Sequence, residues 1–280
     1  VMSALGFSVL LSLYHKENPL ALEQSFQSIW KDQTIQPDEI ILVLDGPIGT
    51  ELQECVDYWK GRIGDHLNII ALPNNIGLGM ALNEGLKHCS HDWVFRMDTD
   101  DICLPDRFEK QVEYIQKNPD VVLFSGQIIE FNETIKDATK LKVVPTDYEE
   151  IKKFALKRCP FNHMTVAYRR DIILGLGGYQ HHLLMEDYNL WFRVIGAGYK
   201  VGNHSDVLLY ARVGNGMYAR RKGWQYFKSE KKLLDLKKEL KLQGSVAANL
   251  IFLARASIRL IPSNMLAFIY NNFLRKNKSK

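Results

Sequence analysis

With 280 residues, 46% of them hydrophobic and 24% charged, the chain has the length and composition of a globular protein with a substantial core, built as one large domain or one domain with an appendage. A net charge of +4 is too small to argue for nucleic acid, and none is expected as a partner; the basic residues gather near the end instead. The four cysteines, Cys55, Cys89, Cys103 and Cys159, form no C-x-x-C pair, which excludes a cysteine metal knuckle and fits the reduced, partly buried thiols of a cytosolic protein.

The first thirteen residues are apolar but lack a basic n-region and a small-residue cleavage site, so they read as a first strand and not as a signal peptide. Phe7–Leu13 is a continuous apolar run, as in a strand buried on both faces, and it ends among Ser12, Tyr14 and Glu17. Pro19 then opens a helix carrying Leu22, Phe26, Ile29 and Trp30 at helical spacing. Ile40–Leu44 is a second strand ending at Asp45-Gly46, followed by a helix over Thr50–Ile63. Leu67–Leu72 is a third strand ending near Asn74 and Asn75, and Gly77–His88 is helical. Trp93–Met97 is a fourth strand, and three carboxylates, Asp98, Asp100 and Asp101, follow it. A helix opened by Pro105 and a fifth strand over Val121–Ser125 complete the alternation.

Strands alternating with helices imply a parallel, doubly wound α/β sheet, in which ligands bind beyond the carboxyl ends of the strands. Ser12 with Tyr14, Asp45, Asn74 with Asn75, and Asp98 with Asp100 all fall at such ends. Asp98 and Asp100 leave an extended backbone on the same side. Two hard oxygen donors so placed suit Mg²⁺ or Mn²⁺, which fill their shell with water and phosphate oxygens. The plainer reading of the same residues is a solvated turn. Four polar clusters on one rim favour a binding site.

After Gly126 the alternation stops. Ile128–Phe131 and Lys140–Val144 read as short strands, Tyr148–Leu156 as a helix, and Phe161–Tyr168 as a strand bearing Asn162 and His163. Leu190, Trp191 and Val194 mark a helix with Glu186 and Asp187 in its first turn. Acids there suit any helix dipole. They also suit an ionised general base with a depressed pKa, and the sequence leaves both readings open. Val207–Val213 is a last strand, and a glycine-rich loop with Arg212, Arg220, Arg221 and Lys222 follows; it reads plainly as a solvated loop, while glycine and arginine together suggest a flap that closes on an anion such as a diphosphate. In the tail, 227–280, Ser229–Leu242 is lysine-rich, and Val246–Ile261 and Met265–Leu274 read as two basic amphipathic helices. Two readings of it stay open: lying on an anionic bilayer surface, or packing on the domain or on a second subunit of a homodimer.

The ordered motifs resemble the family 2 glycosyltransferases with the GT-A fold, a Rossmann-like, mostly parallel sheet with helices on both faces. FSVLLSLYHKE resembles the family's first strand and nucleotide loop, LVLDG the strand whose Asp45 meets the base, and DTDD the metal and ribose-diphosphate motif. NNIGLGMALNEG matches an N-x-G-x-x-x-A-R-N-x-G pattern at Asn75, Gly77, Ala81, Asn83 and Gly85, with Leu82 where the arginine stands. GGY followed by MED resembles the acceptor-side segment. The resemblance implies a domain over 1–226 that moves one sugar from a UDP-sugar to an acceptor hydroxyl, inverting the centre with the help of Mn²⁺ or Mg²⁺. Ser12, Tyr14, Glu17, Asp45, Asn75, Gly77, Asn83, Asp98 and Thr99 would line the donor, with Arg96 replacing the missing arginine and Arg220 and Arg221 closing over it. Asp98 and Asp100 would hold the metal, Asp187 beside Glu186 would be the base, and His163 and Trp191 would face the acceptor. The KE after the first strand and the MYARRKGWQYFKSE block resemble bacterial enzymes of O-antigen and exopolysaccharide synthesis. These imply a polyprenyl-diphosphate saccharide as acceptor and a peripheral place on the inner face of the cell membrane. The alternatives are a sugar nucleotidyltransferase, which would want a glycine-rich loop where SLYHKE stands, and a non-catalytic nucleotide- or glycan-binding protein on the same scaffold.

Overall fold

The structure, a computed structural model, describes residues 5–138, 140–213 and 223–260. Its strands are β1 (Phe7–Leu13), β2 (Glu39–Leu44), β3 (Leu67–Ala71), β4 (Trp93–Arg96), β5 (Ile102–Cys103), β6 (Val121–Phe131), β7 (Lys140–Lys142), β8 (Ala167–Arg169) and β9 (Lys200–Arg212). Its helices are α1 (Pro19–Trp30), α2 (Thr50–Ile63), α3 (Leu78–His88), α4 (Arg107–Lys117), α5 (Tyr148–Ala155), α6 (Arg170–Gly175), α7 (Glu186–Gly196), α8 (Gly223–Glu239) and α9 (Ser245–Leu260). Residues 5–181 with 186–213 form one compact unit, and 182–185 with 223–260 form a second.

The first unit is a mixed α/β fold on one sheet, ordered β3-β2-β1-β4-β8-β6-β9-β5 with β7 on β6. Most of the paired length is parallel. Leu13 pairs with Leu44 and Leu10 with Arg96, so the carboxyl ends of β1, β2 and β4 reach the same edge. β1 and β2 are mostly apolar, as in strands covered on both faces; Val9, Leu11, Ile40 and Leu42 are fully buried. Phe7 stacks on Phe95 with ring centroids 4.4 Å apart, and both pack against Phe108 of α4. At the start of α1, Pro19 supplies the fixed φ and the Asn18 side chain accepts from the backbone N–H groups of Leu20 and Ala21.

The second half departs from the predicted elements: α6 was not foreseen, β9 begins at Lys200 and not at Val207, and two further differences have a visible cause. A single eleven-residue strand, β6, replaces the two short ones read around Gly126. It stays continuous because irregular register at 125–127 absorbs the bend, and Gly126 admits Leu208, whose Cδ1 would lie 2.3 Å from an added Cβ. The strand read over Phe161–Tyr168 is instead a 3-10 turn, His163–Thr165, followed by β8. Polar side chains take the backbone out of the ladder there: Thr165 Oγ1 donates to the Asn162 carbonyl at 2.8 Å, and Asn162 Nδ2 to the Gly126 carbonyl at 2.8 Å.

In the second unit, α8 and α9 pack as a pair around Leu233, Leu234 and Ala248. Phe227 meets Phe252 edge to face at 5.4 Å. Buried Glu230 receives Arg255 in a two-bond fork, both distances 2.8 Å. The predicted helix over Met265–Leu274 lies outside the described residues. Among the described residues no helix is long and apolar enough to cross a membrane.

Gly85 shows how closely α3 lies on the sheet, since an added Cβ would stand 2.4 Å from Leu10 Cδ1 and 2.7 Å from Val43 Cγ2. Both are side chains in a close-packed core, so Gly85→Ala should cost roughly 1–3 kcal/mol. Urea denaturation measures it, and an unchanged midpoint would mean that the helix shifts freely on the sheet.

Candidate active site

The rim begins at the end of β1, where the Glu17 N–H donates to the Tyr14 carbonyl at 3.2 Å in a tight turn, with Ser12 and Tyr14 half-buried beside it. At the end of β2, Asp45 is buried. Its carboxylate accepts from the N–H groups of Ile76 at 2.7 Å and Gly77 at 3.1 Å, while Asn75 Nδ2 donates to the Asp45 carbonyl at 3.2 Å. Asp45 thereby fixes the loop that enters α3. Gly46, at φ +86°, lets that loop approach: an added Cβ would lie 2.6 Å from the Asn75 nitrogen. Gly77, at φ +88°, then starts the helix.

At the end of β4, Asp98 is about a third exposed and pairs with Arg96 at 2.6 Å. Arg96 itself is fully buried. Its Nη1 donates to the carbonyls of Leu10 at 2.7 Å and Met97 at 2.8 Å, and its Nε to His163 Nε2 at 3.3 Å. Arg96 was expected to reach donor phosphate; the structure corrects this, because its donors are turned inward onto protein groups. A second buried arginine, Arg107, holds the strand from the other side through the Arg96 carbonyl at 2.5 Å and the Met164 carbonyl at 3.1 Å.

Thr99 and Asp101 turn inward, and Thr99 is withdrawn from the surface it was expected to line. Burial, then the neighbouring Asp100 and Asp98 charges, hold Asp101 well above the usual carboxylate range. Asp101 Oδ1 accepts from the Arg212 N–H at 2.8 Å, and Oδ2 is buried without a hydrogen bond. Arg212 straps the whole turn, with Nε on the Asp100 carbonyl at 3.0 Å, Nη2 on Gln24 Oε1 at 2.8 Å and its guanidinium over Phe131. Among the described residues no group of three or more histidine, cysteine or acidic side chains gathers to hold a metal. Two carboxylates at the rim, Asp98 and Asp100, fit a hard dication that takes most of its shell from water and diphosphate. They do not fit a closed all-protein cage.

The acceptor-side candidates come from the 163 turn and from α7. Gly79 of α3 lies against Glu186 and Tyr179, each within 3.3 Å of where its Cβ would be. The structure thus brings the start of α7 to the start of α3. Burial, with Asp187 adding to it, raises Glu186 above the ordinary carboxylate pKa. That corrects the expectation of a depressed value at this helix start: desolvation outweighs the dipole. Asp187 is half-buried, and its Oδ1 accepts from the Tyr188 N–H at 2.7 Å.

Two further corrections concern residues expected to touch substrate. Trp191 is fully buried, edge-on to Phe161 and His163, and presents nothing to an acceptor. Asn83 uses both ends of its amide on one neighbour: Nδ2 donates to the Tyr179 carbonyl at 2.7 Å, and Oδ1 accepts from the Tyr179 N–H at 2.8 Å. It braces a turn and does not reach a nucleotide. Arg220 and Arg221 lie outside the described residues. Tyr179, Arg107 and the strapping role of Arg212 were not foreseen. A buried arginine carries no local signature, though an arginine inside an apolar strand run, as Arg96 is, was a signal.

Burial first, and Arg96 second, hold the His163 pKa well below 6.5. Below that value the unfolded chain takes up a proton that the folded chain refuses, so this residue makes stability fall as pH drops. Urea midpoints at about pH 7.5 and about pH 5.5 should therefore show a smaller acid loss in His163→Gln than in the parent protein. Equal losses would contradict the linkage.

The model described as glycosyl transferase family 2 matches residues 8–175. The chain is 47% identical over 264 residues to the amylovoran biosynthesis glycosyltransferase AmsE of Erwinia amylovora, covering 94% of this chain and 97% of that protein. It is 36% identical to a UDP-Gal:alpha-D-GlcNAc-diphosphoundecaprenol beta-1,3-galactosyltransferase of Escherichia coli, covering 96% and 97%. Among solved structures, S. aureus TarS superposes with a TM-score of 0.65 at 17% identity, over 98% of this chain and 45% of that one. A mannosyltransferase of Pyrobaculum calidifontis, solved with GDP-Man and Mn²⁺, gives 0.63 at 19% identity, over 96% and 81%.

Proposed function

The chain belongs to glycosyl transferase family 2, and we propose that it moves one sugar from a UDP-sugar to a hydroxyl of a lipid-linked saccharide, with inversion, in the synthesis of a bacterial surface polysaccharide. The observation that carries this reading is Asp98, held at the carboxyl end of β4 by a wholly buried Arg96 and beside the ends of β1 and β2. The acceptor class rests on the relatives' names: amylovoran synthesis in one, a diphosphoundecaprenol-linked GlcNAc acceptor in the other.

In this reading Tyr14 and the loop fixed by Asp45 receive the base, and the backbone at Gly77, opening α3, receives the donor near a helix start. Asp98 and Asp100 would hold Mn²⁺ or Mg²⁺, which neutralises charge gathering on the departing diphosphate. Asp187 takes the acceptor hydroxyl's proton. The acceptor oxygen then bonds to the anomeric carbon as the bond to the diphosphate oxygen breaks, and the electron pair leaves with UDP. One such displacement gives a β-linkage from an α-linked donor. Glu186, raised by burial, is the poorer base of the two.

The tail is assigned to the membrane surface. Val246, Leu250 and Leu253 are exposed along one stripe of α9, and α8 is rich in lysine. An apolar stripe beside basic residues suits an anionic bilayer, where a lipid-linked acceptor resides.

A panel of UDP-sugars with a lipid-linked saccharide, assayed for released UDP and glycosylated product, tests the reading. Asp100→Ala should abolish turnover and leave the fold intact. Full activity of this variant in chelator would sink the metal assignment. Asp187→Asn should slow turnover by roughly 10²–10⁴-fold, and Glu186→Gln by less. The reverse ranking would transfer the base to Glu186. Released pyrophosphate in place of UDP would make the protein a nucleotidyltransferase.

A further inference from the structure

Behind Asp98 runs a buried chain of polar groups that connects two parts of the first unit. The Arg96 Nε–H donates to His163 Nε2 at 3.3 Å, and the Tyr179 hydroxyl meets the same nitrogen at 2.8 Å. An arginine N–H can only donate, so Nε2 must carry the lone pair and the imidazole is neutral with its proton on Nδ1. The tyrosine is then also a donor. Burial pushes Tyr179 up to about 12, so it keeps that proton. The ring is held in place from behind. Gly177 at φ +84° and Gly178 at φ +64° form a turn that returns the chain to α3, and Asn83 grips the Tyr179 backbone on both sides. An added Cβ at Gly178 would lie 2.4 Å from Asn83 Oδ1, so the grip depends on glycine there.

Tyr179 is buried, and His163 spends Nε2 on protein. Arg96 has Leu10 O, Met97 O, Asp98 Oδ1 and His163 Nε2 as its four acceptors. Removing the histidine acceptor leaves Nε unmatched in a buried site and one fewer bond to fix the angle of the guanidinium, and Asp98 is the partner at its far end. We propose that His163 and Tyr179 are positioning residues for the donor side, fixing the Arg96 guanidinium and through it the Asp98 carboxylate. This rests on Asp98 serving the metal and diphosphate.

The test is UDP binding by calorimetry, with Mn²⁺ and with chelator, on the full chain. Loss of a group behind a metal ligand typically lowers metal affinity 10–100-fold. Tyr179→Phe, which removes one oxygen, and His163→Leu should each lower Mn²⁺-dependent UDP affinity by about tenfold or more and leave metal-free UDP affinity unchanged. His163→Gln keeps an acceptor and should stay close to the parent protein. In an Asp98→Asn background Tyr179→Phe should cost nothing further. Equal losses with and without Mn²⁺ would make the pair merely structural, and no loss in either condition would break the chain of positioning; both overturn the proposal. Should His163→Leu not fold, Tyr179→Phe decides alone. A parent protein whose UDP binding ignores Mn²⁺ overturns the metal site and this inference together, whereas Mn²⁺-enhanced binding that survives Tyr179→Phe and His163→Leu overturns only the inference.

Discussion

The guanidinium of Arg96 is wholly withdrawn from water, and a charge placed there is tolerated only when matched by hydrogen bonds and an opposite charge. Burial works against its charged form, and the Asp98 carboxylate together with the Tyr179 and Tyr168 hydroxyls more than offsets that, so its pKa is raised. Two backbone carbonyls, one imidazole and one carboxylate supply the matching. The pairing runs both ways. Asp98 cannot turn away from the end of β4 without stranding a buried cation, so a carboxylate about a third exposed to the rim is also tightly constrained.

The rest of the rim is arranged around that fixed point by contacts of the same kind. Arg107 fastens the backbone of Arg96 from α4, Ser25 Oγ donates to the Asp98 carbonyl at 3.2 Å from α1, and Arg212 straps Asp100 and Asp101 from β9. Asp45 does for the loop entering α3 what Arg96 does for the β4 turn, with backbone N–H groups as its partners. Glu186 and Asp187 reach the same region because Gly79 lets α7 and α3 meet. Charged side chains here act mainly on the backbone, and what they offer a ligand is geometry prepared in advance.

Much of this was legible in the sequence, for a physical reason. A strand covered on both faces is a nearly continuous apolar run, so Phe7–Leu13 emerges with the bounds that were read, and so does the helix over Thr50–Ile63. Their carboxyl ends carry the polar residues that periodicity places on one rim. The inward-facing polar contacts were not legible. Arg96, read as a phosphate ligand, sits in a strand whose every residue is buried; the apolar run around it was the available sign that it would be internal. Asn83 and Trp191 fit donor and acceptor roles by motif position, yet their partners, Tyr179 and His163, lie 96 and 28 residues away. No local pattern encodes such pairings. Gly126 looked like a strand end because glycine usually interrupts strands, whereas here it admits Leu208 into a continuous one.

The central claim is that Arg96 serves the donor through Asp98 and does not touch it. A crystal structure of the protein with UDP and Mn²⁺ tests this most directly. The account predicts the metal between the diphosphate and the carboxylates of Asp98 and Asp100, with the Arg96 guanidinium still on Asp98 and the carbonyls of Leu10 and Met97. A diphosphate oxygen within hydrogen-bond distance of Arg96, with the pair to Asp98 broken, would contradict it.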